Sequence, residues 1–324
     1  MNESATGNPE KGRILLATTG WKPEAWIEHL RAAAPDREVV QEADGPGDPS
    51  IRYAIVWKQR PGELSSLPNL QAIFSLGAGV DHIFRDPKVP DVPIVRVVAE
   101  DLTTRMSEYV VWQVLDHLRQ GHIYRDQQAK KIWREPYQPA AGELTIGLMG
   151  LGVLGLDAAR KLGALGFKLA GWSRNPKQED GISCFHGEAQ MPEFLGASDM
   201  VVCLLPLTPA TRGILNRQTL QHFKRETPLG GPVLINAGRG QLQVEADILE
   251  ALESGALMAA SLDVFETEPL PRSSPLWEHP RVTVTPHAAA TSDPRALAPL
   301  MVRQMENFEA GLPLTNLVDR DAGY

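Results

Sequence analysis

An α/β fold of doubly wound parallel sheets is predicted for this 324-residue chain by three observations. Short apolar runs alternate with amphipathic helical stretches along most of its length. A G-x-G-x-x-G set, Gly150-Leu151-Gly152-Val153-Leu154-Gly155, stands between a strand-like run and a helix-like one. Six strand-like runs with helical crossovers between several of them occupy the chain after Leu144, enough for a parallel sheet covered on both faces.

The elements follow in order. After a polar start, Met1 to Gly12, the run Arg13–Thr18 (RILLAT) reads as a buried strand. Glu24–Ala34 reads as a helix with Trp26, Ile27 and Leu30 on one face. Apolar runs at Tyr53–Trp57, Ala72–Leu76 and Ile94–Val97, separated by turn-rich stretches such as Pro46–Ser50, complete a first small α/β unit ending near Asp101. A helix is expected from about Ser107 to Gln120, where Val110, Val114 and Leu118 form a row at i, i+4 spacing beside Val111 and Leu115. Glu135–Gly142 reads as a loop. The strands of the second unit are expected at Thr145–Met149, Lys168–Trp172, Met200–Leu204, Pro232–Ile235, Ala259–Leu262 and Val282–Thr285. Helices are expected at Gly152–Leu165 and Glu245–Ser254, and a last one at about Asp293–Gly311. There are no internal repeats and no low-complexity tract.

Composition narrows the function classes. A hydrophobic share of 43% with 22% charged residues is the balance of a folded globular protein. The formal charge, 32 − 40 = −8, disfavours nucleic acid or an anionic membrane as a partner. An anionic small molecule remains possible wherever a local basic cluster can hold it. Cys184 and Cys203 are the two cysteines, without metal-ligand spacing, so neither a disulfide framework nor a zinc site is expected and a reducing compartment fits. With no apolar leader and no run near the roughly 20 residues of a membrane span, a cytoplasmic protein is expected.

The glycine set has a mechanical logic. Its first glycine permits a tight turn, the second lets backbone approach a pyrophosphate, and the third lets helix pack on strand. Val153 and Leu154 open that helix, whose N-terminal N–H groups favour an anion. Such a turn can be only a turn, but a strand before it and a helix after it favour the phosphate reading. About 20 residues on, NAD-preferring sites carry an acid for the ribose 2′-hydroxyl. Here the second strand ends in Ser173-Arg174-Asn175-Pro176-Lys177. A carboxylate would repel a 2′-phosphate, whereas a hydroxyl and an Arg fork, with Lys177 beside them, would bind it. NADP(H) is therefore expected in preference to NAD(H). The alternative is a solvated basic turn, which nearby Glu179 and Asp180 keep open.

Three further residues follow strand ends of that sheet: Arg239 after PVLI, Glu268 after AASL and His287 after VTVT. Reducing a 2-oxo acid calls for a cation on the carboxylate and a proton for the developing alkoxide. Arg offers a planar fork, His a proton near neutral pH, and a neighbouring Glu would orient the imidazole. Each alone is commonplace. Their joint place at the carboxyl edge of one sheet is what points to chemistry.

In these residues the sequence resembles the D-isomer-specific 2-hydroxyacid dehydrogenase family over residues 13–324. The glycine turn, NAGRG (Asn236–Gly240), SLDVFETEPLP (Ser261–Pro271) and TPHAAA (Thr285–Ala290) occur in order. SLGAGVDHI (Ser75–Ile83), GWSRNPK (Gly171–Lys177), SPLWEHPRVTVTPH (Ser274–His287) and VDRDAGY (Val318–Tyr324) resemble the branch that reduces glyoxylate and hydroxypyruvate. The resemblance implies catalysis by Arg239, Glu268 and His287, with Arg239 on the substrate carboxylate and His287 as proton donor. It implies cofactor contacts at Leu205, Pro206, Ala237, Gly238 and Asp263, the last to the nicotinamide carboxamide. The backbone amides of Gly77, Ala78 and Gly79 would take the substrate carboxylate, although that stretch can also be a plain turn after a strand.

The resemblance further implies two Rossmann-like domains, the cofactor domain (102–290) inserted into a substrate domain made of 1–101 and 291–324. Hinges would lie near Asp101 and Ala290, and the cleft would close on its ligands. A homodimer through the Ser107–Gln120 region is implied as well. Lys58, after the strand YAIVW, is a possible second cation for the carboxylate, and Trp57 either shapes the pocket or belongs to the core. A reductase of a larger or branched 2-oxo acid, and a nucleotide-sensing binding protein like the corepressors of this fold, are the alternatives.

Overall fold

The computed structural model describes residues 11–45 and 47–324, so the polar start (residues 1–10) and Pro46, the expected opening of a turn, lie outside the described residues. The chain divides into two compact units, one comprising residues up to Leu102 with Ser292–Tyr324, the other Thr103–Thr291.

The first unit holds five parallel strands, β1 (Arg13–Thr18), β2 (Val39–Val40), β3 (Ile51–Trp57), β4 (Ala72–Ser75) and β5 (Ile94–Val95), in the order β2-β1-β3-β4-β5. Of the seven residues of β3 all but Arg52 are buried, the mark of a strand covered on both faces. The two-residue edge strand β2 has no sequence signal because so short a segment carries no period. Helix α1 (Glu24–Ala33) buries Trp26 and Leu30, one turn apart, against this sheet.

The second unit opens with α2 (Glu100–Leu118), which contains the boundary between the units and begins seven residues before the expected Ser107. Its buried stripe runs through Leu102, Met106, Tyr109, Val110, Gln113, Val114, His117 and Leu118 at helical spacing. Residues 100–106 hold only Leu102 and Met106 as apolar members, too few to set a period by themselves. The polar helix α3 (Gly121–Lys130) follows, buries Gln127 and was unreadable for the same reason.

Seven parallel strands form the second sheet: β6 (Thr145–Met149), β7 (Lys168–Ser173), β8 (Ile182–His186), β9 (Met200–Cys203), β10 (Val233–Asn236), β11 (Ala259–Leu262) and β12 (Val282–Val284). Their order is β12-β11-β10-β9-β6-β7-β8, with the direction of winding reversed between β6 and β9. Two doubly wound parallel sheets agree with the predicted fold class. Six strands were expected here, and β8 is the seventh. It is an edge strand with no fully buried residue, so it lacks the apolar run that marks its neighbours.

Strand residues alternate between two cores. Val201, Cys203, Leu234, Ala260 and Leu262 pack with Phe194 and Leu195 of α5 (Met191–Ala197), and with Ile248 and Leu252 of α7 (Glu245–Glu253). Met200, Val202, Val233, Ile235 and Ala259 pack with α2 and with Ala158, Ala159 and Leu162 of α4 (Val153–Ala164). A short α6 (Arg217–Leu220) is capped by Asn216. After the second unit, α8 (Pro294–Glu309) returns to the first and packs on α1. Asp293 caps it by accepting from Arg295 N, and Leu297, Ala298, Met301, Val302 and Met305 are buried. Among the described residues no helix is long and apolar enough to cross a membrane.

One buried polar cluster ties α2 to β11. Ser261 Oγ donates to Gln113 Oε1 at 2.6 Å and faces His117 Nε2 at 2.8 Å, which places the imidazole proton on Nε2. His117 Nδ1 has no partner among the described residues. Burial pushes His117 down to about 4, with His122 and Arg125 adding to the effect and Asp116 opposing it. A group depressed on folding leaves the unfolded chain binding more protons between the two pKa values. Its stability is whole above pH 6.5 and is lost as pH falls toward 4. We predict a loss on the order of 3 kcal/mol across that window, read by urea unfolding at a series of pH values. His117→Gln should flatten the profile; an unchanged acid limb would refute the assignment.

Candidate active site

The carboxyl ends of the second sheet finish in register. Phe185, Trp172, Met149, Cys203, Asn236, Leu262 and Val284 pair in one row across all seven strands. The ladder continues one residue further, where Gly150 N donates to Trp172 O, Leu204 N to Met149 O, Ala237 N to Cys203 O, Asp263 N to Asn236 O and Thr285 N to Leu262 O. Ser173, Gly150, Leu204, Ala237, Asp263 and Thr285 therefore line a single edge. Loops leaving that edge carry every second-unit residue singled out in the sequence. The edge between β7 and β11 spans four interstrand steps of about 4.8 Å, or roughly 19 Å.

The glycine turn lies at the winding reversal, where a crevice is expected. Gly150 stands at φ +109, and a side chain there would press on Leu204 O. Gly155 is buried on the first turn of α4, where a Cβ would sit 1.9 Å from Gly150 O. Gly152, the N-cap of α4, is different: a Cβ there would meet nothing within 4 Å. No side-chain hydrogen bond caps this helix, so the first-turn amides lack intrahelical acceptors, and Gly152 and Val153 at its start are exposed. This is a cradle fitted to a phosphate anion. Leu205 and Pro206 follow Leu204 out of β9 beside it.

At the end of β7, Lys177 Nζ donates to Leu151 O at 2.5 Å, joining the basic turn to the glycine turn. Ser173 is 8% exposed and its hydroxyl donates to Asn175 O at 2.8 Å, whereas Arg174 is exposed. Lys177 thus stands as a cation against the glycine turn, Arg174 lies on the same exposed turn after β7, and the Ser173 hydroxyl shapes that turn.

Three loops frame the other end. Asn236 folds the loop carrying Ala237, Gly238 and Arg239: its Oδ1 accepts from Gly238 N at 3.1 Å, and its Nδ2 donates to Arg239 O at 3.2 Å and to Gln243 Oε1 at 2.8 Å. Gln243 Nε2 donates in turn to Val264 O, joining the loops after β10 and β11. Arg239 Nη1 donates to Gly238 O at 3.0 Å, and the side chain is half-buried. His287 Nδ1 lies 2.9 Å from Glu268 Oε2 and 3.1 Å from Oε1, and both side chains remain partly open to solvent.

The loop bearing His287 hangs on Asp263, which is 1% exposed. Its Oδ1 accepts from Thr285 Oγ1 at 2.6 Å and Ala288 N at 2.9 Å, and its Oδ2 accepts from Ala289 N at 2.9 Å. His287 N donates to Asp263 O at 2.7 Å, holding His287 at φ +53. Because Thr285 donates to Asp263, the hydroxyl of Tyr109 on α2 donates to Thr285 Oγ1 at 2.9 Å. Burial raises the Tyr109 phenol, keeping it a donor. Tyr109, Asn236, Gln243 and Thr285 had no predicted role.

In the first unit, Trp57 ends β3 and is 8% exposed, its ring 5.1 Å from Trp21 and 4.7 Å from His82. Trp57 is thus a core residue. It also floors the loop after β4, since a Cβ on Gly77 would stand 2.6 Å from its ring. Lys58 follows at φ +50 and is exposed. Gly77, Ala78 and Gly79 form the loop itself, next to Trp57 because Val56 pairs with Ser75.

A family model described as D-isomer specific 2-hydroxyacid dehydrogenase, NAD binding domain, matches residues 111–289. Glyoxylate/hydroxypyruvate reductase A of Serratia proteamaculans is 40% identical over 319 residues, covering 96% of this chain and 99% of that protein; its counterpart in Yersinia enterocolitica is 38% identical over the same shares. Among solved structures, the NADPH-dependent glyoxylate/hydroxypyruvate reductase of Sinorhizobium meliloti with NADP and sulfate is similar at a TM-score of 0.91. It is 49% identical, over 97% of this chain and 100% of that one. A D-isomer specific 2-hydroxyacid dehydrogenase of Xanthobacter autotrophicus Py2 with NADPH and MES gives 0.90 at 40% identity, over 97% and 99%.

The two glycines should separate experimentally. Gly155→Ala drives a Cβ into backbone and should lower the unfolding free energy by about 1–3 kcal/mol in denaturant. Gly152→Ala enters open space and should change stability by less than about 0.5 kcal/mol while weakening NADP(H) binding, measured by titration calorimetry. Equal effects of both on stability would count against the cradle.

Proposed function

The chain belongs to the D-isomer specific 2-hydroxyacid dehydrogenase family, and from that premise we propose that it is an NADPH-preferring reductase of small 2-oxo acids, foremost glyoxylate to glycolate and hydroxypyruvate to D-glycerate. The observation that carries the reading is the 2.9 Å contact of His287 with Glu268 on the sheet edge that also holds the glycine cradle.

When bound, the nicotinamide supplies the hydride that the C2 carbon accepts. His287 holds the proton that the developing C2 alkoxide needs. Because Nδ1 is engaged by the Glu268 carboxylate, the proton leaves from Nε2, and the ring ends neutral with its remaining proton on Nδ1. Glu268 fixes the plane of the ring and holds the Nδ1 proton, so that Nε2 is the atom left to face the substrate. Arg239 offers its fork to the substrate carboxylate and polarises the carbonyl. Asp263 positions the His287 loop through both of its oxygens, in addition to the cofactor contact that the family resemblance implies.

Within the first unit, the Gly77–Gly79 loop and Lys58 are the proposed binders of the substrate carboxylate. The Gly77 N–H already donates to Ser75 Oγ at 3.2 Å, so the amides of Ala78 and Gly79 are the donors in this reading. Preference for NADPH rests on Arg174 and Lys177 of the turn after β7, where no acid stands at the strand end. A cytoplasmic homodimer completes the proposal. Trp112 on α2 is 53% exposed and Trp133 fully so, and an aromatic surface of this kind suits a subunit interface.

Assays with glyoxylate, hydroxypyruvate, pyruvate and a branched 2-oxo acid test the substrate class, and loss of all turnover would favour a nucleotide-sensing role. We expect kcat/KM with NADPH to exceed that with NADH by about tenfold or more, a difference of roughly 1.4 kcal/mol; equal use of NADH would overturn the preference. His287→Asn should lower kcat by about 10²–10⁴. A variant turning over at the wild-type rate would remove His287 from the proton transfer.

A further inference from the structure

The loop after β4 is fixed by a closed hydrogen-bond chain. Ser75 is completely buried, and its hydroxyl has every hydrogen-bonding position filled. It accepts from Gly77 N, donates to Gly79 O and faces His82 Nε2, each at 3.2 Å. His82 is 4% exposed, and its Nδ1 accepts the backbone N–H of Lys58 at 3.1 Å. A nitrogen that accepts carries no proton, so the neutral ring keeps its proton on Nε2, directed at Ser75. Gln59 Oε1, 3.4 Å from the same Nδ1, is another acceptor and adds no bond to the neutral ring. Lys58 meanwhile occupies φ +50, a left-handed region that is unfavourable for a non-glycine residue and persists only when its surroundings enforce it. The bond to His82 is one such enforcement.

We propose that His82 is a positioning residue for the carboxylate of the 2-oxo acid. Through Nδ1 it sets the backbone turn from which the Lys58 side chain departs. Through Nε2 and Ser75 it sets the turn that presents the amides of Ala78 and Gly79. The Lys58 turn and the Gly77–Gly79 turn are thereby locked into one anion-binding arrangement before substrate arrives. The inference rests on the reading of the Gly77–Gly79 loop and Lys58 as the carboxylate site. A contact made equally in ground and transition states changes KM and leaves kcat nearly constant, and that is the signature His82 should have.

The test is steady-state turnover of glyoxylate at saturating NADPH by the full-length wild type, His82→Phe, His82→Gln, Ser75→Ala and the His82→Phe/Ser75→Ala double variant. His82→Phe should raise the glyoxylate KM about tenfold, with kcat within about threefold and the NADPH KM unchanged. Ser75→Ala should act in the same direction, and the double variant should be no worse than the worse single one, because one chain is broken once. His82→Gln, which restores an N–H toward Ser75, should recover part of the KM. An unchanged KM in a folded His82→Phe protein overturns the proposal. So does a joint shift of KM, kcat, NADPH KM and melting temperature, or a multiplicative double variant. If His82→Phe does not fold, Ser75→Ala and His82→Gln decide by the same criteria. Wild type without turnover on any 2-oxo acid would overturn the functional reading and the inference with it; active wild type with an insensitive KM sinks the inference alone.

Discussion

Seven parallel strands of the second unit end on one register row, and the positions of the proposed reacting groups follow from that alignment. Parallel strands bond evenly along their length, so a shared register brings the first residue beyond each strand to the same level. Ser173, Gly150, Leu204, Ala237, Asp263 and Thr285 become neighbours by hydrogen bonding alone. Reversal of winding between β6 and β9 then opens space at the one place where the glycine turn stands. A slip of one residue in β10 or β12 would turn Asn236 or Val284 to the wrong face and carry the loop beyond it away from the edge.

Rigid strand ends leave loops to be fixed, and buried polar side chains fix them. Asn236 spends three hydrogen bonds on the turn that contains Arg239. Asp263 accepts three from the segment that contains His287, whose left-handed backbone would otherwise be unfavourable. Ser75 plays the same part in the first unit. Each of these side chains is nearly or fully buried, so each must be satisfied, and satisfying it is what defines the loop. The acidic balance of the chain does not oppose the proposed anionic ligands, because the donors proposed for them are backbone amides and a few cations whose field is local.

Much of this was legible beforehand for a physical reason. A strand buried on both faces writes itself as an unbroken apolar run, as in YAIVW (Tyr53–Trp57) and the IGLM of β6, and a turn that must approach an anion writes itself in glycine. Where burial is incomplete the signal fades. The edge strand β8 and the polar helix α3 were missed, and α2 starts seven residues earlier than its apolar periodicity suggested, because only Leu102 and Met106 mark its first turns.

The sequence by itself determined which chemistry-bearing residues follow which strand, the open-backed glycine turn and the absence of an acid at the end of β7. Those are local facts, carried by period and residue type. Only the tertiary structure decided that Glu268 turns toward His287, that Asp263 supports the loop bearing it, and that His82 joins Lys58 to Ser75. Tyr109 and Thr285 meet across 176 positions. No local pattern encodes such a partner, since a hydrogen bond depends on where two buried atoms are brought by packing and not on the neighbours either has along the chain.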